Sequence, residues 1–186
     1  MAPNPRINIC FYDKKNGAGR DQARLFFADW LSCPVEAIAY GEKPGGKPLI
    51  SGFTDCHVGI SHSGSILAAY IGAEEAGVDV ERMRPNRDYA GIAEAVFSPA
   101  ELADFPDYRN PEPEAFYRSW TKKEAFLKYT GKGFPGLWDP CPTSGEGARF
   151  WKIEGEYLLC LVAPRRILLS VEVDAPGLRC EAEPFA

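Results

Sequence analysis

Apolar residues recur at helical spacing over residues 22–31, where Leu25, Phe26, Trp30 and Leu31 predict a helix that ends near Cys33-Pro34. A turn-rich segment, Gly41-Glu-Lys-Pro-Gly-Gly-Lys-Pro48, follows. The period then shortens to two. Residues 57–61, 66–72 and 77–81 read as three short strands separated by Gly or Ser, a small meander. Helical spacing returns at 89–96. Ser98-Pro99-Ala100-Glu101 has the side chains of a capping box with proline at the first helical position, so another helix starts there and stops before Pro106. A longer helix is predicted from Pro113 to Thr130, opened by Pro111 and Pro113, closed by Gly131, with Phe116, Tyr117, Trp120 and Leu127 as its apolar face. Residues 149–154 and 156–163 read as a hairpin around Glu154-Gly155, 167–173 as a last strand, and the tail after Asp174 as irregular. Helix plus three strands, then helices plus three strands, predicts an α+β protein of two similar lobes, divided at residues 1–88 and 89–186.

Composition narrows the class. The chain has 186 residues, 45% of them hydrophobic, and a formal charge of −5; a chain this long can bury roughly 70% of its unfolded surface without disulfide staples. Its longest apolar stretch, Ile66 to Ala73, is far below the ~20 residues that cross a bilayer, and the first residues lack the pattern of a signal peptide. A cytoplasmic location is therefore expected. The six cysteines form no CxxC pair, which argues for buried thiols rather than a zinc site. An acidic balance also argues against a nucleic-acid partner. The charge is uneven, however: from Arg118 to Lys132 there are five basic residues against Glu124 alone, a pattern that asks for an anionic ligand.

Five groups of residues could carry chemistry. In Gly77-Val78-Asp79-Val80-Glu81 a strand places both carboxylates on one face, with Val78 and Val80 toward the core. Such a pair suits a hard cation such as Mg²⁺, and equally a half-exposed edge strand. Glu124 and Lys128 lie four apart on the face that holds Trp120, either a solvated ion pair or, given the surrounding cations and Gly131-Lys132-Gly133, a site for a metal-bound phosphate. Gly59-Ile60-Ser61-His62-Ser63 lacks the closing glycine of a nucleophile elbow, and neighbouring strand residues point apart, so His62 is read as a phosphate or base-edge contact or as a plain turn histidine. Lys43 to Lys47 is a stiff turn that displays two lysines or a solvent loop. Arg82, Arg84 and Arg87 are a solvated loop or a grip for an acidic protein.

Taken in order, Gly46-Lys47-Pro48, Ile60-Ser61-His62-Ser63, Gly77-Val78-Asp79-Val80-Glu81, Phe97-Ser98-x-x-Glu101, Trp120-x-x-Lys123-Glu124-Ala125-x-x-Lys128 and Gly131-Lys132-Gly133 resemble the 4′-phosphopantetheinyl transferase family of the Sfp type. The resemblance implies a pseudo-twofold pair of lobes, each a small antiparallel sheet with a packed helix, with the active site in the cleft between them. It implies transfer of the phosphopantetheine arm of coenzyme A to a serine of an acyl or peptidyl carrier protein, with release of adenosine 3′,5′-bisphosphate. Asp79, Glu81 and Glu124 match the family's Mg²⁺ carboxylates, Glu124 also its general base, and Lys128 the lysine that neutralises the pyrophosphate. Ser61 and His62 match coenzyme A phosphate contacts, Lys47 the lysine of the nucleotide pocket, and Arg24 the 3′-phosphate contact, for which Lys14 and Lys15 are also positioned. The carrier-docking segment aligns with Arg82, Arg84 and Arg87, and the two-lobed form implies a monomer. A non-catalytic module that binds coenzyme A or a carrier, and a Mg²⁺-dependent phosphohydrolase, are the competing readings.

Overall fold

The computed structural model describes residues 4–12, 19–105, 107–133, 139, 141, 147–164, 167 and 169–182; Lys14 and Lys15 lie outside them. Among the described residues ten strands and four α-helices follow one another as β1 (Arg6–Phe11), α1 (Gly19–Leu31), β2 (Tyr40–Glu42), β3 (Pro48–Ile50), β4 (His57–Ser63), β5 (Ile66–Gly72), β6 (Gly77–Arg82), α2 (Tyr89–Val96), α3 (Pro99–Ala103), α4 (Pro113–Thr130), β7 (Ala148–Ile153), β8 (Tyr157–Val162), β9 (Ser170–Val173) and β10 (Cys180–Ala182). They build two four-stranded sheets, ordered β4-β5-β1-β9 and β10-β7-β8-β6, and a small β2-β3 hairpin. Both lobes of the expected α+β architecture are present. The first sheet is mixed, because β9 joins β1 in parallel while its other pairs are antiparallel.

The inner faces of the two sheets share one core. Ile66, Ala68 and Tyr70 of β5 meet Tyr157, Leu159 and Leu161 of β8 there, with Val78 and Val80 of β6 and Ile7 and Ile9 of β1. The alternate residues point outward under a helix. Leu67, Ala69 and Ile71 pack on Ala23, Phe27 and Trp30 of α1, and Cys160 and Val162 pack on Ala125 of α4. With both faces covered, every residue of β5 and of β8 is buried, which is why these strands read as continuous apolar runs.

Helix ends follow their local chemistry. Ser98 accepts from the Glu101 N–H while the Glu101 carboxylate accepts from the Ser98 N–H, so the expected capping box forms. α4 spans the predicted residues and closes on Gly131 in the left-handed region, φ 68°, a conformation that costs glycine least. The six cysteines are thiols, three of them buried and three half-buried. Burial pushes the Cys10 and Cys141 thiols up to about 11, which leaves them unreactive at neutral pH. Among the described residues no helix is long and apolar enough to cross a membrane.

Three expectations change. Residues 77–82 do not extend a meander: β6 forms no ladder with β5 and pairs antiparallel with β8 instead, because alternation specifies which face is apolar and not which edge is paired. The tail is not irregular throughout, since β10 pairs with β7. The strand expected over 167–173 begins at Ser170, as β9. The sheets also interleave the chain about residue 88: β6 precedes that position yet lies in the second sheet, and β9 follows it yet lies in the first.

One contact holds α4 against the second sheet at the start of β6. A Cβ on Gly77 would lie 2.0 Å from the Ala125 carbonyl oxygen and 2.3 Å from the Tyr129 nitrogen. Both are backbone atoms inside α4, so they cannot rotate away. Gly77→Ala should therefore push α4 off its strand at a cost of about 1–3 kcal/mol, read as a fall in thermal midpoint of roughly 2–4 °C per kcal/mol. An unchanged midpoint would show that the helix yields freely there.

Candidate active site

β4 and β6 are the facing edges of the two sheets, and they meet without a backbone ladder. Serine hydroxyls join them instead. Ser61 Oγ accepts from the Val80 N–H at 3.3 Å and donates to Asp79 Oδ1 at 2.8 Å. Two residues on, Ser63 Oγ accepts from the Arg82 N–H at 3.0 Å and donates to Glu81 Oε2 at 2.8 Å. The period of two in each strand thus brings alternate serines of β4 to alternate acids of β6. Gly59 lets the strands approach, for a Cβ there would sit 3.2 Å from Val78 Cγ1.

α4 lays its polar stripe along this seam. Trp120 Nε1 donates to Glu81 Oε1 at 3.3 Å. Two turns later Lys128 Nζ donates to Asp79 Oδ1 at 2.7 Å and to Ser61 Oγ at 2.9 Å. Asp79 is buried, and its second oxygen, Oδ2, has no hydrogen-bond partner among the described residues. Glu124, between Trp120 and Lys128, has its carboxyl pushed above the usual range, first by burial and then by the charge of Asp79; Lys128 opposes the shift and Glu81 adds to it. The wall is therefore a set of carboxylates held close enough to feel one another, partly balanced by one ammonium.

The wall borders a cleft of about 450 Å³, within the range of small-molecule sites. Glu124 and Lys128 line it on one side, His62 and Lys47 on others, and Gly19 and Arg20 at the first turn of α1. The His62 ring stacks on Tyr12, centroids 4.4 Å apart and 16° from parallel. Glycine shapes the floor: Gly45 has φ 89°, and a Cβ there would overlap the Gly131 carbonyl oxygen at 1.9 Å. The lysine turn consequently docks on the end of α4.

The expected site residues fall into two groups. Asp79, Glu81, Glu124, Lys128 and Ser61 converge at the seam, and His62 faces the cleft. Lys47 reaches the cleft wall but is 7% exposed, and its ammonium is spent on the Ala76 carbonyl at 2.8 Å, the Tyr129 carbonyl at 3.3 Å and the Glu75 carboxylate. Glu75 also holds Lys43 at 3.1 Å and His57 at 2.5 Å. Arg24 lies 3.5 Å from Asp21 and over the Tyr40 ring, and Arg20, one turn nearer the start of α1, is the arginine at the cleft. The three arginines of the loop are all exposed but differently engaged: Arg82 pairs with Glu156 at 3.0 Å, and Arg87 donates to the Tyr117 hydroxyl at 3.3 Å.

Sequence reasoning assigned no part to Ser63, Arg20 or Glu75. Ser63 was legible as the second member of an alternating Ser-x-Ser facing an alternating Asp-x-Glu; Glu75 sits in a polar loop with no pattern to mark it. Glu101 and Lys123 prove to be internal partners, with Lys123 Nζ donating to both Glu101 oxygens at 2.8 and 2.9 Å and to the Asp139 carbonyl at 2.7 Å. Among the described residues, no three His, Cys, Asp or Glu side chains close around a common point suited to a metal ion. The partnerless Asp79 Oδ2 and the all-oxygen donor set nevertheless fit a hard divalent cation.

A family model described as the 4′-phosphopantetheinyl transferase superfamily matches residues 75–152. The chain is 34% identical to a 4′-phosphopantetheinyl transferase of Bacillus subtilis over 133 residues, 66% of this chain and 56% of that one. It is 41% identical over 101 residues to the 4′-phosphopantetheinyl transferase AcpT of Salmonella typhi, 53% of this chain and 51% of the relative. With the psf-1 transferase of Bacillus pumilus it shares 37% over 111 residues, 59% and 47% of the two chains. The chain thus spans about half the length of these curated relatives. The matched segment holds β6 with its two acids and α4 with Glu124 and Lys128, so the likeness to the 4′-phosphopantetheinyl transferase superfamily falls on the elements that build this site.

Proposed function

We propose that the protein transfers the 4′-phosphopantetheine group of coenzyme A to a serine of an acyl or peptidyl carrier protein, releasing adenosine 3′,5′-bisphosphate. The observation that carries this reading is the convergence of Ser61, Asp79, Glu124 and Lys128, drawn from β4, β6 and α4, at one wall of the cleft. The serine oxygen of the carrier attacks the phosphorus that bears the pantetheine arm. The bond from that phosphorus to the bridging oxygen breaks, and its electron pair leaves with the adenosine bisphosphate. The serine proton passes to Glu124, directly or through a water. A carboxylate raised above its usual range by burial and by Asp79 is a stronger base than a solvated one. Lys128, an ammonium in the cleft wall, offsets charge as the pyrophosphate breaks. Asp79, Glu81 and Glu124 would hold Mg²⁺, which when bound supplies further neutralisation of the phosphates. Such chemistry needs positioning and charge more than covalent help from the protein.

For the substrate, His62 with its plane fixed by Tyr12, and Arg20, offer the phosphates contacts in the same cleft as Lys128. Lys47 supports the nucleotide side by tying the 43–47 turn to β6 and α4 rather than through a solvated ammonium. The carrier, an acidic protein, docks beside the arginine loop, where Arg84 contributes an exposed charge. The deciding test is the intact mass of an apo acyl carrier protein and an apo peptidyl carrier domain after incubation with this protein, coenzyme A and Mg²⁺. One added phosphopantetheine, abolished by EDTA, is the expected result. Coenzyme A binding without mass gain on either carrier would favour the non-catalytic module, and coenzyme A breakdown without a carrier would favour the hydrolase.

Two variants separate the roles. Because the folded protein raises the Glu124 carboxyl, it binds that proton more readily than the unfolded chain does, so this group's contribution to stability falls as pH rises past the ordinary carboxyl range. Glu124→Gln should therefore abolish transfer yet raise the thermal midpoint at neutral pH, with the gain vanishing near about pH 4. A neutral-pH midpoint at or below that of the parent would remove the argument for a strained carboxylate. Arg84→Glu should raise the KM for an acidic carrier by several-fold, more at low salt, and leave the KM for coenzyme A unchanged; equal carrier kinetics would move the docking surface elsewhere.

A further inference from the structure

We infer that Lys128 is the internal counter-ion of the acidic wall and competes with a divalent cation for Asp79 until a phosphate ligand draws it away, so that metal and coenzyme A bind as a linked pair. This rests on the transfer reading above and adds to it a coupling between the two ligands. Asp79 sits behind the wall with 5% of its side chain exposed, where an unpaired carboxylate is costly. Its Oδ1 takes the Ser61 hydroxyl at 2.8 Å and the Lys128 ammonium at 2.7 Å. Its Oδ2 takes nothing from the described residues. A divalent cation arriving at this carboxylate meets an ammonium already bound to it, and the two positive charges repel at short range.

The two partners of the ion pair are not equally mobile. Asp79 is fixed on β6 by the ladder to β8 and by Ser61. Lys128 reaches in from the last turn of α4 on a flexible stem, and 36% of its side chain is exposed to the cleft mouth. Lys128 can therefore change partner while Asp79 cannot. A pyrophosphate in the cleft offers the ammonium an anion in exchange for Asp79 Oδ1. By linkage, whatever factor coenzyme A adds to metal affinity, the metal adds to coenzyme A affinity.

The test uses Mn²⁺ as probe, titrated by calorimetry or electron paramagnetic resonance into the full chain without coenzyme A. Lys128→Met should bind Mn²⁺ about three- to tenfold more tightly than the parent, and Lys128→Arg, which keeps the charge, should bind it as the parent does. Coenzyme A should tighten Mn²⁺ binding in the parent by a larger factor than in Lys128→Met, where only the direct attraction of phosphate oxygens for the cation remains. The rise in thermal midpoint on adding Mn²⁺ gives a second readout that survives a loss of stability. It should be larger for Lys128→Met, whose buried Asp79 has lost its partner. Equal or weaker Mn²⁺ binding by Lys128→Met, or a Met and an Arg variant that behave alike, overturns the inference. Competition at Asp79 in a protein that modifies no carrier would retire the transferase reading and leave the counter-ion standing; transfer without competition would do the reverse.

Discussion

Everything at the site depends on two sheet edges that meet through side chains instead of a backbone ladder. A continuous ladder between β4 and β6 would have merged the sheets and closed the surface on which the acids stand. With Ser61 and Ser63 bridging the strands, the Val80 and Arg82 amides are still satisfied, as buried backbone groups must be. The same hydroxyls donate to Asp79 and Glu81. One set of atoms therefore seals the seam, satisfies the backbone and orients the carboxylates.

Charge is arranged in the same economical way. α4 carries one buried cation and one half-exposed cation at the cleft, five residues apart. Lys123 is 1% exposed and bound to Glu101, so losing either partner would strand a buried charge at a cost of about 3–5 kcal/mol. Lys128 remains reachable from the cleft. Glu75 likewise gathers cations, collecting Lys43, Lys47 and His57. Burial lowers the His57 pKa, and the neighbouring lysines add to that against the pull of Glu75, so at neutral pH this knot is held mainly by the two lysines.

Local chemistry was legible in the sequence and partnership was not. α4 could be bounded to the residue because proline and glycine mark its ends, and the Ser98 cap because its partner lies three residues away. The Asp79 and Glu81 pairing on one face follows from strand period alone. The edge that β6 would join could not be read, since β4, β5 and β8 offer it similar apolar faces. β10 was not legible because three residues, Cys180, Glu181 and Ala182, are too short a run for alternation to mark a strand. Arg24 and Arg20 share a helix face four residues apart, so spacing could not say which stands at the cleft; the position of the first turn of α1 decides it.

The parallel pairing of β1 with β9 has a temporal consequence during synthesis. Residues 6–11 leave the ribosome first, and the strand that covers their free edge, residues 170–173, emerges near the end of this sequence. At about 5–20 residues per second the wait is on the order of ten seconds or more. Through that interval an apolar strand bearing Ile7 and Ile9 keeps one row of amide and carbonyl groups unpaired, the kind of edge on which nascent chains aggregate. Chaperone demand during translation should accordingly be governed by the last strand of the first sheet rather than by either helix.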